Sequence, residues 1–293
     1  MQTSQTSIIQ TIITTINTLF TSLFSSIDNN IYSVLDDIIF IDSDILNDHF
    51  MISFFGNSTS HGLILVANSL LLGFSLFYIA RYALSHYLSS NVEQPFQFIF
   101  KLLFFAILAN SSYFIVQQFL EINSLLSSSI REVGENIFNC NISFSELILK
   151  LNNIITTDLT SLNFFSLDGI LKSFVSISLL NLLFTYSLRY VILKVFLLIT
   201  PFAILSLINN STSWFFKAWF KTVLSLLLLQ SFVSIILLVV FSADFSSQNL
   251  FTKVICIGSI YTLTKANTFI RDLIGGISTD VSTNIRSMKY LLK

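Results

Sequence analysis

Residues 170–221 read ILKSFVSISLLNLLFTYSLRYVILKVFLLITPFAILSLINNSTSWFFKAWFK, and the reading of this stretch decides the fold. From Ile170 to Ile208 it is almost wholly apolar, with two cations, Arg189 and Lys194, set inside it and a proline, Pro201, following them. It stops at a polar Asn-Asn-Ser-Thr-Ser knot and a Trp/Phe/Lys cluster. A helix of a soluble domain keeps one polar face for water, so an apolar run this long belongs in lipid. The expected class is an all-α integral membrane protein. Composition agrees. The chain is 53% hydrophobic and 11% charged, with mean hydropathy +0.77, against roughly 25% charged residues in soluble domains.

As a single helix, residues 170–208 would be about 58 Å long, nearly twice the ~30 Å hydrocarbon core. Length alone permits a hairpin of two short spans. A hairpin needs a turn, and residues 184–191 contain no Gly, Pro, Asn or Asp to make one. Loop charge decides between the two. One long helix gives about five transmembrane helices, with the N-terminus outside the cell membrane and the C-terminus cytoplasmic. Arg81, Lys101, Lys217, Lys221, Lys265, Arg271, Arg286, Lys289 and Lys293 then fall inside, and Arg131, Lys150, Lys172 and Lys253 outside. A hairpin would export the basic C-terminal third. The single helix is therefore over-long, with its first third, up to about Tyr186, projecting beyond the bilayer or lying in its outer interface. It is kinked at Pro201, which lacks an N–H and crowds the carbonyl of Leu197.

Working outward, residues 1–60 form an acidic, extracytoplasmic segment with no Lys or Arg and six aspartates, Asp28, Asp36, Asp37, Asp42, Asp44 and Asp48. Within it, residues 7–27 repeat apolar side chains at helical spacing and so predict an amphipathic outer helix. Either it is an outer-face helix packed on the bundle, or its hydroxyl face lines a wet channel or meets a partner. Asp42, Asp44 and Asp48 lack the Gly and Glu of a calcium loop and read as a solvated loop. Residues 61–120 predict a two-span hairpin: one span over 62–80, ended by Arg81, and a second over 96–120 with Pro95 in its first turn. Asn110 and Gln117 in the second span are candidates for bonds to neighbouring helices. Residues 121–169 predict an acidic outer loop with short helices, one opened by a Ser143–Glu146 capping box. Residues 170–270 form a three-span core whose later spans run from about Thr222 to Ala243 and from about Phe251 to Phe269. Residues 271–293 are a basic amphipathic cytoplasmic tail beyond Gly275 and Gly276.

Catalytic patterns do not emerge. His49, His61 and His86 are scattered, Cys140 and Cys256 lack metal-ligand spacing, and there is no HExxH, GxGxxG or phosphate-binding glycine loop. The expectation is no enzyme, no metal and no cofactor. Arg189 and Lys194 carry the functional interest, because a charge at membrane depth costs at least ~2.5–3.5 kcal/mol. No acid lies within the expected spans, which leaves carbonyls, water, lipid phosphate or another subunit as partners. Arg189 either snorkels to the outer interface or serves a channel or an assembly; Lys194, deeper, points to a wet cavity or a subunit interface. Trp214, Lys217, Trp219 and Lys221 compose an aromatic-basic belt at the cytoplasmic surface, an anchor or a docking patch.

The order Arg-Tyr-Val-Ile-Leu-Lys-Val-Phe, then Pro-Phe, then Trp-Phe-Phe-Lys-Ala-Trp-Phe-Lys before another apolar span resembles the TrbL family. Members of that family are polytopic membrane channel subunits of type IV secretion and conjugation systems. Arg189, Pro201 with Phe202, and Trp219 stand at the matching positions, and the resemblance covers roughly residues 170–269. It implies a channel or scaffold subunit for DNA transfer, assembled as a homo-oligomer with other secretion-channel subunits in the lipid bilayer. Cytosolic transfer ATPases would supply energy, and DNA or relaxase-DNA would be the cargo. The alternatives are a subunit of a small-molecule transporter and a purely structural membrane scaffold. A transporter would show broken helices in paired halves, and the Pro-kinked helix has no counterpart in the first half.

Overall fold

The turnless stretch at residues 184–191 is helical throughout, so the segment around it is one helix and not a hairpin. A computed structural model describes residues 14, 15, 18, 19, 22, 34–55, 62–88, 93–155, 167–243 and 250–274. Among these residues there are helices and no strand. In chain order they are α1 (residues 34–39), a 3-10 turn at Ser43–Leu46, α2 (His49–Phe55), α3 (Leu63–Leu88), α4 (Pro95–Asn110) and α5 (Ser112–Phe138). There follow α6 (Phe144–Ile155), α7 (Leu167–Leu198), α8 (Thr200–Leu205), a 3-10 turn at Ser206–Ile208, α9 (Ser213–Phe241) and α10 (Leu250–Ile274). The helix expected over residues 7–27 lies almost wholly outside the described residues, as do residues 156–166 and the tail from 275 onward.

Three helices are long and apolar enough to cross a membrane: Leu63–Ser85, Gly169–Leu198 and Ser213–Phe241. The pair α4 and α5 passes the same test together, bent by 59° at Ser111, which makes up to four spans. The protein is thus an all-α protein of membrane type. The fifth expected span, 251–269, is present as α10 but is not apolar enough to count among them. Ser259, Thr262, Thr264, Asn267 and Thr268 lower its hydropathy, and it packs instead along α9 and α7.

Several expected boundaries move. Helix α3 does not stop at Arg81 but continues two turns to Leu88, because nothing after Arg81 breaks a helix before the 89–92 region. The second expected span is two helices, and the acidic segment does not begin as a loop at Glu121: α5 carries through to Phe138. Asn139 ends it in a left-handed conformation (φ 51°), donating its N–H to the carbonyl of Glu135. At the α4–α5 bend, the Asn110 side chain donates to its own helix at Ala106 O (2.8 Å) and exchanges amide bonds with Asn68 of α3 (3.0 and 3.1 Å). Gln117 bonds Glu121 on its own helix rather than a neighbour. The first third of α7 is packed against other helices. Val175, Leu179 and Leu182 are buried in the core that α7 shares with α6, α9 and α10.

Lipid tails are as apolar as leucine, so close packing and interhelical hydrogen bonds hold such a bundle more than water exclusion does. The contact of α5 with α9 uses both. Asn123 donates to Gln230 Oε1 (3.1 Å), and the Ser127 and Ser234 hydroxyls share a bond of 2.9 Å. Gly134 lets the helices close up, since a Cβ there would lie 2.0 Å from Leu238 Cδ2. At the head of α6, Ser143 Oγ accepts the N–H of Glu146 (3.1 Å), the first half of the expected capping box. Asp36 supplies a second cap. Its carboxylate accepts the N–H groups of Phe144 (2.9 Å) and Ser145 (3.2 Å), which ties α1 to α6 across the sequence.

Candidate functional site

Arg189 sits about two thirds of the way along α7 and is fully buried. Its Nε and Nη2 donate to the carbonyl of Leu226 on α9 (3.0 and 2.7 Å), and its Nη1 donates to the carbonyl of Ile39 (2.9 Å). Ile39 is the last residue of α1, where a helix leaves its final carbonyls without intrahelical donors. The chain then runs irregularly through Phe40 and Ile41 while still buried among helices. Buried non-helical backbone is tolerated only where other groups of the protein satisfy its N–H and C=O. That condition is met here. Arg189 takes the Ile39 carbonyl, and Gln230 Oε1 takes the N–H of Ile41 (3.2 Å) while also accepting from Asn123. The Arg131 guanidinium of α5 lies 4.1 Å from the centre of the Phe40 ring.

Arg189 therefore neither snorkels to an interface nor faces a lumen within this chain. It clamps the N-terminal segment to α7 and α9, with backbone carbonyls as its hydrogen-bond partners among the described residues. One turn earlier on α7, the buried Tyr186 hydroxyl donates to Leu263 O on α10 (3.2 Å) and extends the cross-bracing to a third helix.

Lys194 has a different environment. It was expected to lack an acid; instead its Nζ lies 2.7 Å from Asp48 Oδ2, with the Tyr190 ring 4.9 Å away. Asp48 stands between the 3-10 turn and α2, so the aspartate segment is not simply a solvated loop. Asp42 caps that turn through the Asp44 N–H, and Asp48 latches it to α7. The hydrogen bond from Lys194, together with the Phe50 N–H, holds the Asp48 carboxyl below its usual 3.8. A depressed carboxyl contributes stability above 3.8 and loses it as pH falls through the lowered value. Asp48→Asn is accordingly expected to lower the melting temperature slightly at neutral pH. That difference from wild type should close in acid below the carboxyl range. A pH series of thermal melts checks this; an equal gap at every pH would show that the pair contributes nothing through charge.

Pro201 follows the break between α7 and α8. Because it has no N–H, the Leu197 carbonyl loses its helical donor, and the Thr200 hydroxyl replaces it at 2.6 Å. The preceding carbonyl, Phe196 O, takes the same hydroxyl at 3.4 Å and accepts the indole N–H of Trp219 from α9 at 2.8 Å. Trp219 is thus not part of a surface belt. It is 5% exposed and packed with Leu193, Leu197 and Val223, whereas Trp214 at 66% exposure, Lys217 and Lys221 do face outward. These four residues occupy the first turns of α9, which begins at Ser213 rather than at Thr222.

The structure joins Pro201 to Trp219 through α7 and α9, and separates Arg189, which is internal, from Lys194, which is latched to Asp48. It adds Gln230, Asn123, Asp36 and Asp48, none of which the sequence singled out for these contacts. Gln230 had a signal, as a lone amide inside an apolar span; Asp36 had none, since its partners, two backbone N–H groups and the Ser145 hydroxyl, lie more than a hundred residues away. Among the described residues no group of three or more His, Cys, Asp or Glu could hold a metal ion. Compared with models of known protein families and with curated proteins, the chain matches none.

Proposed function

We propose that this chain is a membrane channel or scaffold subunit of a conjugative type IV secretion apparatus, of TrbL type, and not an enzyme. One observation supports the reading most. The residues that carry the resemblance are mechanically connected: Arg189 bonds α9 at Leu226, and Trp219 of α9 bonds the Phe196 carbonyl beside the Pro201 break.

In this reading the spans, α10 among them, form a five-helix subunit with an outer N-terminus and a cytoplasmic C-terminus. The exposed Trp214, Lys217 and Lys221 meet the cytoplasmic leaflet or a transfer ATPase. Further copies of the chain and other secretion subunits cover the lipid-level faces. One such face is the outward side of α3, where Leu72, Leu76 and Ile79 are exposed. The lumen for DNA or relaxase-DNA then lies between subunits, since Arg189 and its neighbours fill the interior of this one.

Deleting the gene in a donor strain and measuring transfer of the plasmid or element tests the function. Loss of transfer, restored by the gene in trans, is expected; unchanged transfer sinks the proposal. Orientation is tested by reporter fusions at Asp158 and Lys293, where a C-terminal fusion active outside the cell would reverse the topology.

A further inference from the structure

Leu70, Phe74, Phe77, Tyr78 and Arg81 recur along α3 at spacings that put them on one stripe of the helix. Two cavities open along this stripe, each of about 240 Å³, and Phe74 lines both. The first is polar at its mouth: Arg81, Glu93 and Lys101 face the turn formed by Asn209, Asn210 and Ser211. The second is an apolar groove between Leu70, Phe202, Leu205, Trp214 and Phe215. The polar mouth lies where the α3 span ends and where α4 and α9 begin, which is the level of a membrane–water boundary. The groove continues from it toward the middle of the spans.

Charge at the mouth is unbalanced. Glu93 is engaged by Lys101, and its backbone carbonyl accepts the Tyr78 hydroxyl (2.6 Å). Tyr78 in turn stacks on Phe98, with ring centres 3.8 Å apart, which stiffens that wall. Arg81 has no ion pair or hydrogen bond among the described residues. The mouth therefore presents one uncompensated guanidinium, the side chain best suited to bind phosphate oxygens in a bidentate way.

We propose that these cavities together bind one anionic glycerophospholipid, its phosphate at Arg81 beside the Asn209–Asn210–Ser211 turn and an acyl chain in the groove past Phe74. A soluble phosphate would leave the apolar cavity unused, and a zwitterionic lipid would bring its own ammonium to a mouth that already carries one net positive charge from Arg81, Lys101 and Glu93. Basic pockets between helices at the headgroup level are a known physical solution for anionic lipid. The inference rests on membrane insertion alone, so it stands or falls separately from the secretion reading.

The test is native mass spectrometry of the full chain in detergent with dioleoyl phosphatidylglycerol and dioleoyl phosphatidylcholine. The phosphatidylglycerol adduct should bind about fivefold more tightly or better, the scale of one interfacial cation. Arg81→Gln, at an exposed position, should keep the wild-type melting temperature and bring phosphatidylglycerol down to the phosphatidylcholine level. Phe74→Trp, which enlarges the shared wall, should weaken both lipids. Equal binding of the two lipids to wild type, or undiminished phosphatidylglycerol binding by Arg81→Gln, overturns the proposal. Full displacement of the lipid by an equal concentration of glycerol 3-phosphate would make this a soluble phosphate site and overturn it as well.

Discussion

Arg189→Ala should unfold the N-terminal anchor and lower stability by about 3 kcal/mol or more. Two terms add. Truncating a large, fully buried side chain leaves a cavity worth about 2–5 kcal/mol by analogy with large-to-alanine changes. The Ile39 carbonyl also loses its donor, at a cost of about 1–3 kcal/mol for an unsatisfied buried group. Partial relaxation of the segment toward water or lipid headgroups keeps the total below the sum. Thermal melts in detergent measure the loss, and limited proteolysis near residues 39–47 reports the release of the anchor. A wild-type melting temperature with unchanged protection would refute the clamp.

Arg189→Met separates architecture from function. Methionine fills much of the same space and removes a charge that costs at least ~2.5 kcal/mol to hold at membrane depth. The Met variant should therefore melt well above the Ala variant. If it folds and assembles but does not support transfer, the charge itself is needed. If it supports transfer, the guanidinium is a structural fastener and no more.

Trp219→Ala carries the other large effect, about 3–5 kcal/mol, because it empties the packing against Leu193, Leu197 and Val223 and uncaps the Phe196 carbonyl together. Trp219→Phe keeps a ring and removes only the indole N–H, so about 1 kcal/mol is expected. Melting temperatures of the two variants check the ratio. Equal losses would mean that the hydrogen bond at the break, and not the ring, holds α7 against α9. Pro201 gives the physical reason for concern at this position: a broken helix has carbonyls that must find donors, and inside a bilayer water is not on offer.

Read along the chain, helix starts were legible wherever a local rule operates. Pro95 opens α4, Ser143 opens α6, and the lack of any turn former in residues 184–191 keeps α7 whole. Helix ends were less so. The expected stop at Arg81 failed because one cation at the end of an apolar run marks a membrane boundary and not a helix boundary, and α3 continues beyond it. The expected loop at Glu121 failed for the same reason: acidic residues on an exposed face do not end α5.

The site divides along the same line. That Arg189 and Lys194 are costly in an apolar span, that Pro201 kinks the helix, and that the chain belongs in a membrane all follow from residue chemistry, which the order of residues alone determines. Their partners do not follow. A guanidinium accepts any carbonyl as an acceptor, and every residue offers one, so nothing in the sequence could single out Ile39 and Leu226. Lys194 finds its acid 146 residues away, in a segment whose local reading was a solvated loop. Trp219 reads as a belt residue beside Trp214 by composition, yet helix phase turns it inward onto the Phe196 carbonyl beside the Pro201 break. Residues 170–221, weighed with the charges of the loops around them, thus determined that there is one over-long, kinked helix carrying two costly cations; only the packing of α1, α7 and α9 decided that Arg189 is buried and what satisfies it, because that depends on which backbone groups other helices leave without a donor.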